Sequence, residues 1–300
     1  MTKPKVSNIA CTWGEIKGVY SEASGFAEVI ERESMLKIPD MWGWGYYYAT
    51  EDIYLLAQQS IKQTLNEASI SPDDVDLVIF CAASMPGRVS DLNARTAMIL
   101  KLAGINRAKV VGQTLGGCAT LLSSMIMAGD LVTANVFNNV MVVAIETLPT
   151  DLQRFDKFAI YSDASVSFLV SSELHGGFEI IASTYKSSIE EILNSPGLQD
   201  PALSKASVFQ TLGQAGIQIP DIKKVFSNNT FLPVKMLRER SIGFTDDQID
   251  ISNIASFGHC FSCDSMLNYY LYQSSYPEIN HEYYLLFAEA DGHSASVLIK

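Results

Sequence analysis

The sequence predicts an α/β protein assembled from two related halves, and three observations carry that expectation. Helical and strand patterns alternate along the chain. The stretch Asp163-Ala164-Ser165-Val166-Ser167-Phe168-Leu169-Val170 is echoed at the carboxy end by Asp291-Gly292-His293-Ser294-Ala295-Ser296-Val297-Leu298-Ile299. Gly117-Cys118 and Gly258-His259 each follow a strand pattern and open a helical one. Alternation of this kind with an internal repeat points to a layered fold made by duplication. If a pseudo-twofold relates the halves, Cys118 and His259 occupy equivalent helix starts and can face each other.

In chain order, residues 51–68 place Ile53, Leu55, Leu56, Ile61 and Leu65 near a helical period, and Ser71-Pro72-Asp73-Asp74 breaks the pattern. The apolar run 75–81 reads as a strand buried on both faces. A helix is expected over 92–103, a short strand at Val110-Val111, a helix rich in small residues over 119–133 and a strand over 139–145. Another strand ends at Phe168-Leu169-Val170. The second series comprises a helix over 207–215, a strand at Lys224-Val225-Phe226 and a helix over 231–240. A short strand over 250–255, a helix over 262–273 and a strand over 283–287 complete it. Asn194-Ser195-Pro196-Gly197 to Asp200-Pro201 is the most linker-like segment and lies between the two series.

Three hundred residues, 48% of them hydrophobic, suffice for a large interior and exclude a disordered chain. With 21 basic and 33 acidic residues the net charge is −12, so the basic footprint needed for nonspecific nucleic-acid or anionic-membrane binding is missing. No apolar run reaches the length of a membrane span, and the first residues do not read as a signal peptide. Five cysteines at irregular spacings, Cys11, Cys81, Cys118, Cys260 and Cys263, argue for reduced thiols and a cytoplasmic setting. Cys260 and Cys263 form a C-x-x-C with no second pair, which is half a zinc site.

Gly116-Gly117-Cys118-Ala119-Thr120 puts a cysteine where a strand turns into a helix. The glycines permit a sharp turn and a close approach to a ligand, and the free N–H groups of a helix start favour a thiolate. The same N–H groups stabilise the oxyanion formed when a thiolate attacks a thioester. A small buried cysteine on a packed helix is the bland alternative. Phe257-Gly258-His259-Cys260 sets a histidine at a comparable turn, where it can take a proton from a nucleophilic thiol or be satisfied by backbone. Ser227-Asn228-Asn229-Thr230-Phe231 follows a strand and precedes a helix. Asn228 there either caps the helix or donates to a carbonyl or enolate oxygen. His175 and His281 lie in polar turns and are given no role.

These residues resemble the thiolase superfamily, and within it β-ketoacyl-carrier-protein synthase III and its relatives in specialised metabolism. The resemblance runs from the helix over 51–68 through Gly117-Cys118-Ala119 and Glu146-Thr147 to Asp163, and on to the last strand. It implies a five-layer α-β-α-β-α arrangement of duplicated βαβαβαββ halves, 1–172 carrying the cysteine and 173–300 carrying the asparagine and histidine. Cys118 falls on the family's nucleophile. Synthase III enzymes carry Pro-His-Gln-Ala-Asn and His-Gly-Asn motifs. Here Asn228 stands in the first histidine slot and His259 in the asparagine slot, an exchange similar to thiolases proper and to quinolone-forming condensing enzymes. The second thiolase cysteine has no match near Ala290-Asp291-Gly292, and the closing glycine cluster is reduced to Gly292.

The arginine motif that meets coenzyme A is absent, and Trp42-Gly43-Trp44-Gly45-Tyr46-Tyr47-Tyr48 takes its place. Trp42 and Trp44, with Phe231, are candidates for the acyl or adenine channel, or form a packed hairpin face. Leu92 is the candidate for a channel residue lent across a dimer interface. Lys223, Lys224, Lys235, Arg238 and Arg240 cluster around the helix after Asn228. The resemblance makes Lys235, Arg238 and Arg240 candidates for docking an acidic carrier protein; a solvated helix face is the alternative.

The expectation is an acyltransferase acting through an acyl-Cys118 intermediate, with an acyl-coenzyme A or acyl-carrier-protein thioester as donor and no cofactor or metal. His259 activates the thiol and Asn228 holds the acceptor thioester. Transfer ends in a C–C bond, an ester or an amide. The resemblance also implies a homodimer or a heterodimer with a related subunit. A noncatalytic partner subunit is the alternative from another class.

Overall fold

The computed structural model describes residues 3–68, 70–83, 85, 87–148, 153–173, 176–194, 201–276 and 282–300. Among them the chain order begins β1 (Lys5–Trp13), β2 (Ile16–Val19), α1 (Phe26–Arg32), α2 (Pro39–Trp42), β3 (Tyr46–Ala49) and α3 (Ile53–Glu67). It continues β4 (Leu77–Cys81), α4 (Val89–Leu102), β5 (Lys109–Gln113), α5 (Thr120–Thr133), β6 (Asn139–Glu146) and β7 (Ala164–Ser171). Next come β8 (Phe178–Ser187), α6 (Ile189–Asn194), α7 (Pro201–Ala215), β9 (Ile222–Phe226) and α8 (Leu232–Ile242). The last elements are α9 (Ile254–Phe257), α10 (Asp264–Ser275), β10 (Tyr283–Ala290) and β11 (His293–Ile299).

The large sheet is mixed and runs β5-β4-β6-β7-β1-β8-β11-β10-β9. Read outward from the centre, β1-β7-β6-β4 in the first half matches β8-β11-β10-β9 in the second. The first half adds β5 as an edge. Among the described residues the half-sheets pair through Lys5 opposite Glu179 and Val6 opposite Phe178. The element order also carries the duplication into the packing. On α3, Ser60 Oγ meets Ser165 Oγ at 3.1 Å and Thr64 Oγ1 meets Ser167 Oγ at 2.7 Å. On α7, Ser207 Oγ and Thr211 Oγ1 meet Ser296 Oγ at 2.9 and 2.7 Å. Small hydroxylated residues let helix and strand approach closely, and each buried hydroxyl finds a partner there.

Three apolar cores separate the layers. One, built from α5 and α10 with Met125, Val142, Phe168, Met266 and Leu286, lies between the half-sheets. The second, under α3 and α4, holds Leu56, Ile61, Phe80 and Met141, and the third, under α7, holds Val208, Val225, Phe287 and Leu298. β4 is buried on both faces because helices cover both sides of it, as its unbroken apolar run requires.

The expected strand over 250–255 is the one element that is wrong: β9 takes only an isolated bridge at Ile249, and Ile254–Phe257 is a helical turn. Its alternation is too short to outcompete the turn leading into Gly258. β1 and β8, both central, were not anticipated as strands, whereas β2 and β3 form the hairpin offered as one reading of the aromatic stretch. His175, His281 and residues 195–200 of the linker-like segment lie outside the described residues. No described helix is long and apolar enough to cross a membrane.

Candidate active site

Cys118 is the middle residue of a 3-10 turn, Gly117–Ala119, that leads into α5. Gly117 has φ +52°, and a Cβ there would lie 2.5 Å from Ala290 Cβ, so glycine is required both by conformation and by the close approach of β10. The second half makes the same turn at Phe261–Cys263 ahead of α10, and Phe261 takes φ +51°. The structural register therefore matches Gly117 with Phe261 and Cys118 with Ser262. His259 stands three residues ahead of the position equivalent to Cys118, a correction to the pairing expected from the sequence. That offset is what allows contact: the imidazole reaches across the pseudo-twofold while its own turn points elsewhere.

Cys118 Sγ lies 3.3 Å from His259 Nε2. The other ring nitrogen, Nδ1, is hydrogen-bonded to Asp264 Oδ2. Asp264 is fully buried, and it also accepts from the N–H of Asn229 and the N–H of Cys260, both at 2.6 Å. Burial by itself disfavours an imidazolium, but the Asp264 carboxylate and the Cys118 sulfur outweigh it, and His259 is pushed up to about 10. The histidine backbone is equally fixed. Its N–H donates to Ile160 at 2.7 Å, and its carbonyl accepts from Ser162 at 2.9 Å. A segment of the first half thus grips the histidine supplied by the second.

Asp264 was missed by sequence reading. A signal was present: a lone acid opening an apolar helix five residues after His259. Glu146 was quoted only as part of the resemblance. It ends β6 almost fully buried, accepts from the Ala83 N–H at 2.9 Å and from the Ser262 hydroxyl, and burial pushes its carboxyl up to about 8.

The hydrogen bonds of Asn228 lead away from Cys118 and His259. Its Oδ1 accepts from the Glu289 N–H at 2.9 Å, and its carbonyl accepts from Lys235 Nζ at 3.1 Å. Its neighbour Asn229 is the residue bound to Asp264, so the segment after β9 and the histidine turn are tied together.

The remaining candidates separate. Trp44 and Phe231 are buried in an aromatic cluster with Phe26 and Phe155, which makes them core and corrects their assignment to substrate binding. Trp42, half-buried, stacks on Trp44 with centroids 5.9 Å apart. Leu92 is partly buried on α4 against the second core. Gly292 has φ +67° in the turn joining β10 and β11.

The basic helix face is also corrected. Lys235 is fully buried on the carbonyls of Ser227 and Asn228, and Arg238 is 10% exposed between Glu239 and Glu289. Arg240 alone of the three reaches solvent, and it is held by both oxygens of Asp246 at 2.7 Å. An ammonium is tolerated inside only when fully hydrogen-bonded, and that need turned Lys235 inward.

Solved structures of very different sequence share this architecture over almost their entire length. The acyltransferase ChlB3 matches with TM-score 0.81 at 13% identity, over 99% of this chain and 97% of that one. A 3-oxoacyl-[acyl-carrier-protein] synthase III from Aquifex aeolicus VF5 matches with TM-score 0.78 at 13% identity, over 99% of both chains. The chain has the thiolase fold. A histidine-to-asparagine variant of OleA from Xanthomonas campestris matches with TM-score 0.82 at 11% identity, over 99% of this chain and 98% of that one. No family model and no curated protein matches the sequence. Cys118 lies in the turn that opens α5, and His259 lies two residues before the turn that opens α10.

Proposed function

We propose that this chain is an acyltransferase that forms an acyl-thioester on Cys118. The observation that carries the reading is the relay Cys118 Sγ, His259, Asp264, with 3.3 Å between sulfur and Nε2 and a buried carboxylate on Nδ1. A cationic imidazole beside the sulfur supports a thiolate–imidazolium pair, the nucleophilic form of such a dyad. The sulfur attacks the carbonyl of a coenzyme A or carrier-protein thioester, the donor thiol leaves with the proton from Nε2, and the acyl group stays on Sγ. The N–H groups at the start of α5 support the oxyanion.

In the second half-reaction Nε2 takes a proton from the acceptor. The acceptor atom bonds to the acyl carbon, the C–S bond breaks with its electron pair going to Sγ, and the proton stays on Nε2, which restores the starting ion pair. A carboxylate-backed histidine suits a hydroxyl or amine acceptor, which needs a general base. A decarboxylative C–C condensation needs hydrogen-bond donors at an enolate, and Asn228 with its Oδ1 already occupied has only its amide N–H groups to offer.

β5 supports a dimer. It is an edge strand whose Val110 and Val111 are 46% and 43% exposed, an open edge that a second copy or a related subunit would cover.

Intact-mass spectrometry after incubation with acyl-coenzyme A and acyl-carrier thioesters tests the function. One acyl adduct is expected on the wild-type chain and none on Cys118→Ala. A folded wild-type protein that no thioester labels would sink the reading and favour a noncatalytic partner subunit.

A further inference from the structure

Tyr185 and His293 form a second polar pair beside the nucleophile turn that the relay leaves unused. β8 and β11 pair antiparallel with Tyr185 opposite Ala295 and Ser187 opposite His293. Tyr185 and His293 are therefore diagonal neighbours on one face, within reach of long side chains. Their rings stack at 6.0 Å and 15°, and Tyr185 Oη lies 2.8 Å from His293 Nδ1.

Two observations place this pair at the site. A Cβ built on Gly116, two residues before Cys118, would lie 3.4 Å from Tyr185 Oη. Asp291, in the same turn as His293, acts electrostatically on both His293 and Tyr161, and Cys118 acts on Tyr161 as well. Tyr161 in turn packs on the His259 ring at 5.6 Å. The side chains of Tyr185, His293, Asp291 and Tyr161 thus border the nucleophile turn. Tyr185 is 40% exposed, so the pair is reachable from solvent.

The geometry points to Tyr185 and His293 as the subsite that holds a hydroxyl group of the acyl acceptor, an inference that rests on the acyl-Cys118 reading. Partial burial keeps the imidazole neutral against the opposing pull of Asp291. The Tyr185 O–H donates a hydrogen bond to His293 Nδ1, which leaves Nε2–H as a donor and the Tyr185 oxygen as an acceptor. One donor next to one acceptor is the complement of a hydroxyl. A carboxylate would meet the acceptor oxygen unfavourably, and an alkyl chain would desolvate both groups without pairing either. The attacking atom still gives its proton to His259, so Tyr185 and His293 are positioning residues.

The test separates the two half-reactions. Cys118 is first acylated with butyryl-coenzyme A, and loss of the adduct is followed by intact mass with glycerol, methyl glucoside, butylamine or malonyl-coenzyme A as probe. The hydroxyl probes are expected to discharge the wild-type adduct faster than buffer or butylamine does. Tyr185→Phe, which keeps the ring stack, and His293→Gln are expected to slow that discharge about tenfold or more while acylation changes far less. Failure of every hydroxyl probe to accelerate discharge overturns the subsite, as does equal discharge by wild type and both variants, or a parallel fall in acylation and discharge. Absence of any wild-type adduct removes the acyl-Cys118 reading itself and the subsite with it.

Discussion

The turn that carries Cys118 and the turn that follows His259 share one local geometry and are stabilised in different ways. Both run through a residue at φ near +50° into a 3-10 turn and then a helix. In the first, that residue is Gly117, packed on Ala290, and the side chain that follows is left partly exposed. In the second it is Phe261, stacked on Tyr161 with centroids 4.9 Å apart, and the helix opens on a buried Asp264 bound by three donors. One turn presents a reactive atom with little surrounding structure. The other spends a strained backbone position and a buried charge on orienting a ring. Duplication supplied two equivalent scaffolds: one leaves the Cys118 sulfur partly exposed, and the other holds the His259 ring against a buried carboxylate.

Removing the carboxylate from the second turn should break the comparison most severely. Asp264→Asn is expected to lower the acylation rate by a factor of about 10² to 10⁴, as when the orienting acid of a nucleophile–histidine pair is lost. It should also move the alkaline limb of the acylation pH profile to lower pH, because the carboxylate is what lifts His259 to about 10. A loss of rate with an unmoved profile, measured by stopped-flow mass labelling, would mean that Asp264 serves folding alone.

Gly117→Ala probes the first turn. The new methyl has both an unfavourable φ and a contact at 2.5 Å with Ala290 Cβ, so a destabilisation of about 1–3 kcal/mol is expected in chemical denaturation. Adding Ala290→Gly should recover the steric part and leave the conformational part. No recovery would show that β10 does not set the position of the nucleophile.

A pH-dependent effect, felt only across a limited window, concerns Glu146, which bridges Ala83 to Ser262 of the second turn. Its folded-state carboxyl is raised by burial from 4.5 to about 8. The folded chain therefore binds a proton that the unfolded chain releases across this window, and this group's contribution to stability falls as pH rises from about 4.5 to 8. Its share is of the order of a few kcal/mol. Glu146→Gln should flatten that part of the stability profile, and an unchanged slope in urea titrations at several pH values would refute the assignment.

Much of this was legible from the residues. The apolar runs of β4 and β6 were readable because both strands are almost wholly buried, and the small-residue helix α5 because most of its turns pack inside. β1 and β8 escaped notice because they mix serine, threonine and asparagine or glutamate with apolar residues. Those polar side chains are accommodated by partners distant in sequence, such as Thr12 on the Leu56 carbonyl at 3.0 Å. Cys118 and His259 stood out because glycine-flanked reactive residues at helix starts are locally encoded. Asp264 did not, because its importance lies in donors brought from residues 229, 259 and 260.

The sequence by itself determined the duplicated α/β architecture and singled out Cys118 and His259, since hydrophobic period and glycine placement act over a few residues. Tertiary structure decided the rest. It set the three-residue offset that brings His259 to Cys118 and placed Asp264, which the sequence had not singled out, behind the imidazole. It also turned Lys235 and Arg238 inward, away from any docking face. The physical reason is common to all three. A buried charge is stable only where several donors or acceptors converge on it, and that convergence exists only after strands distant in sequence have been laid side by side.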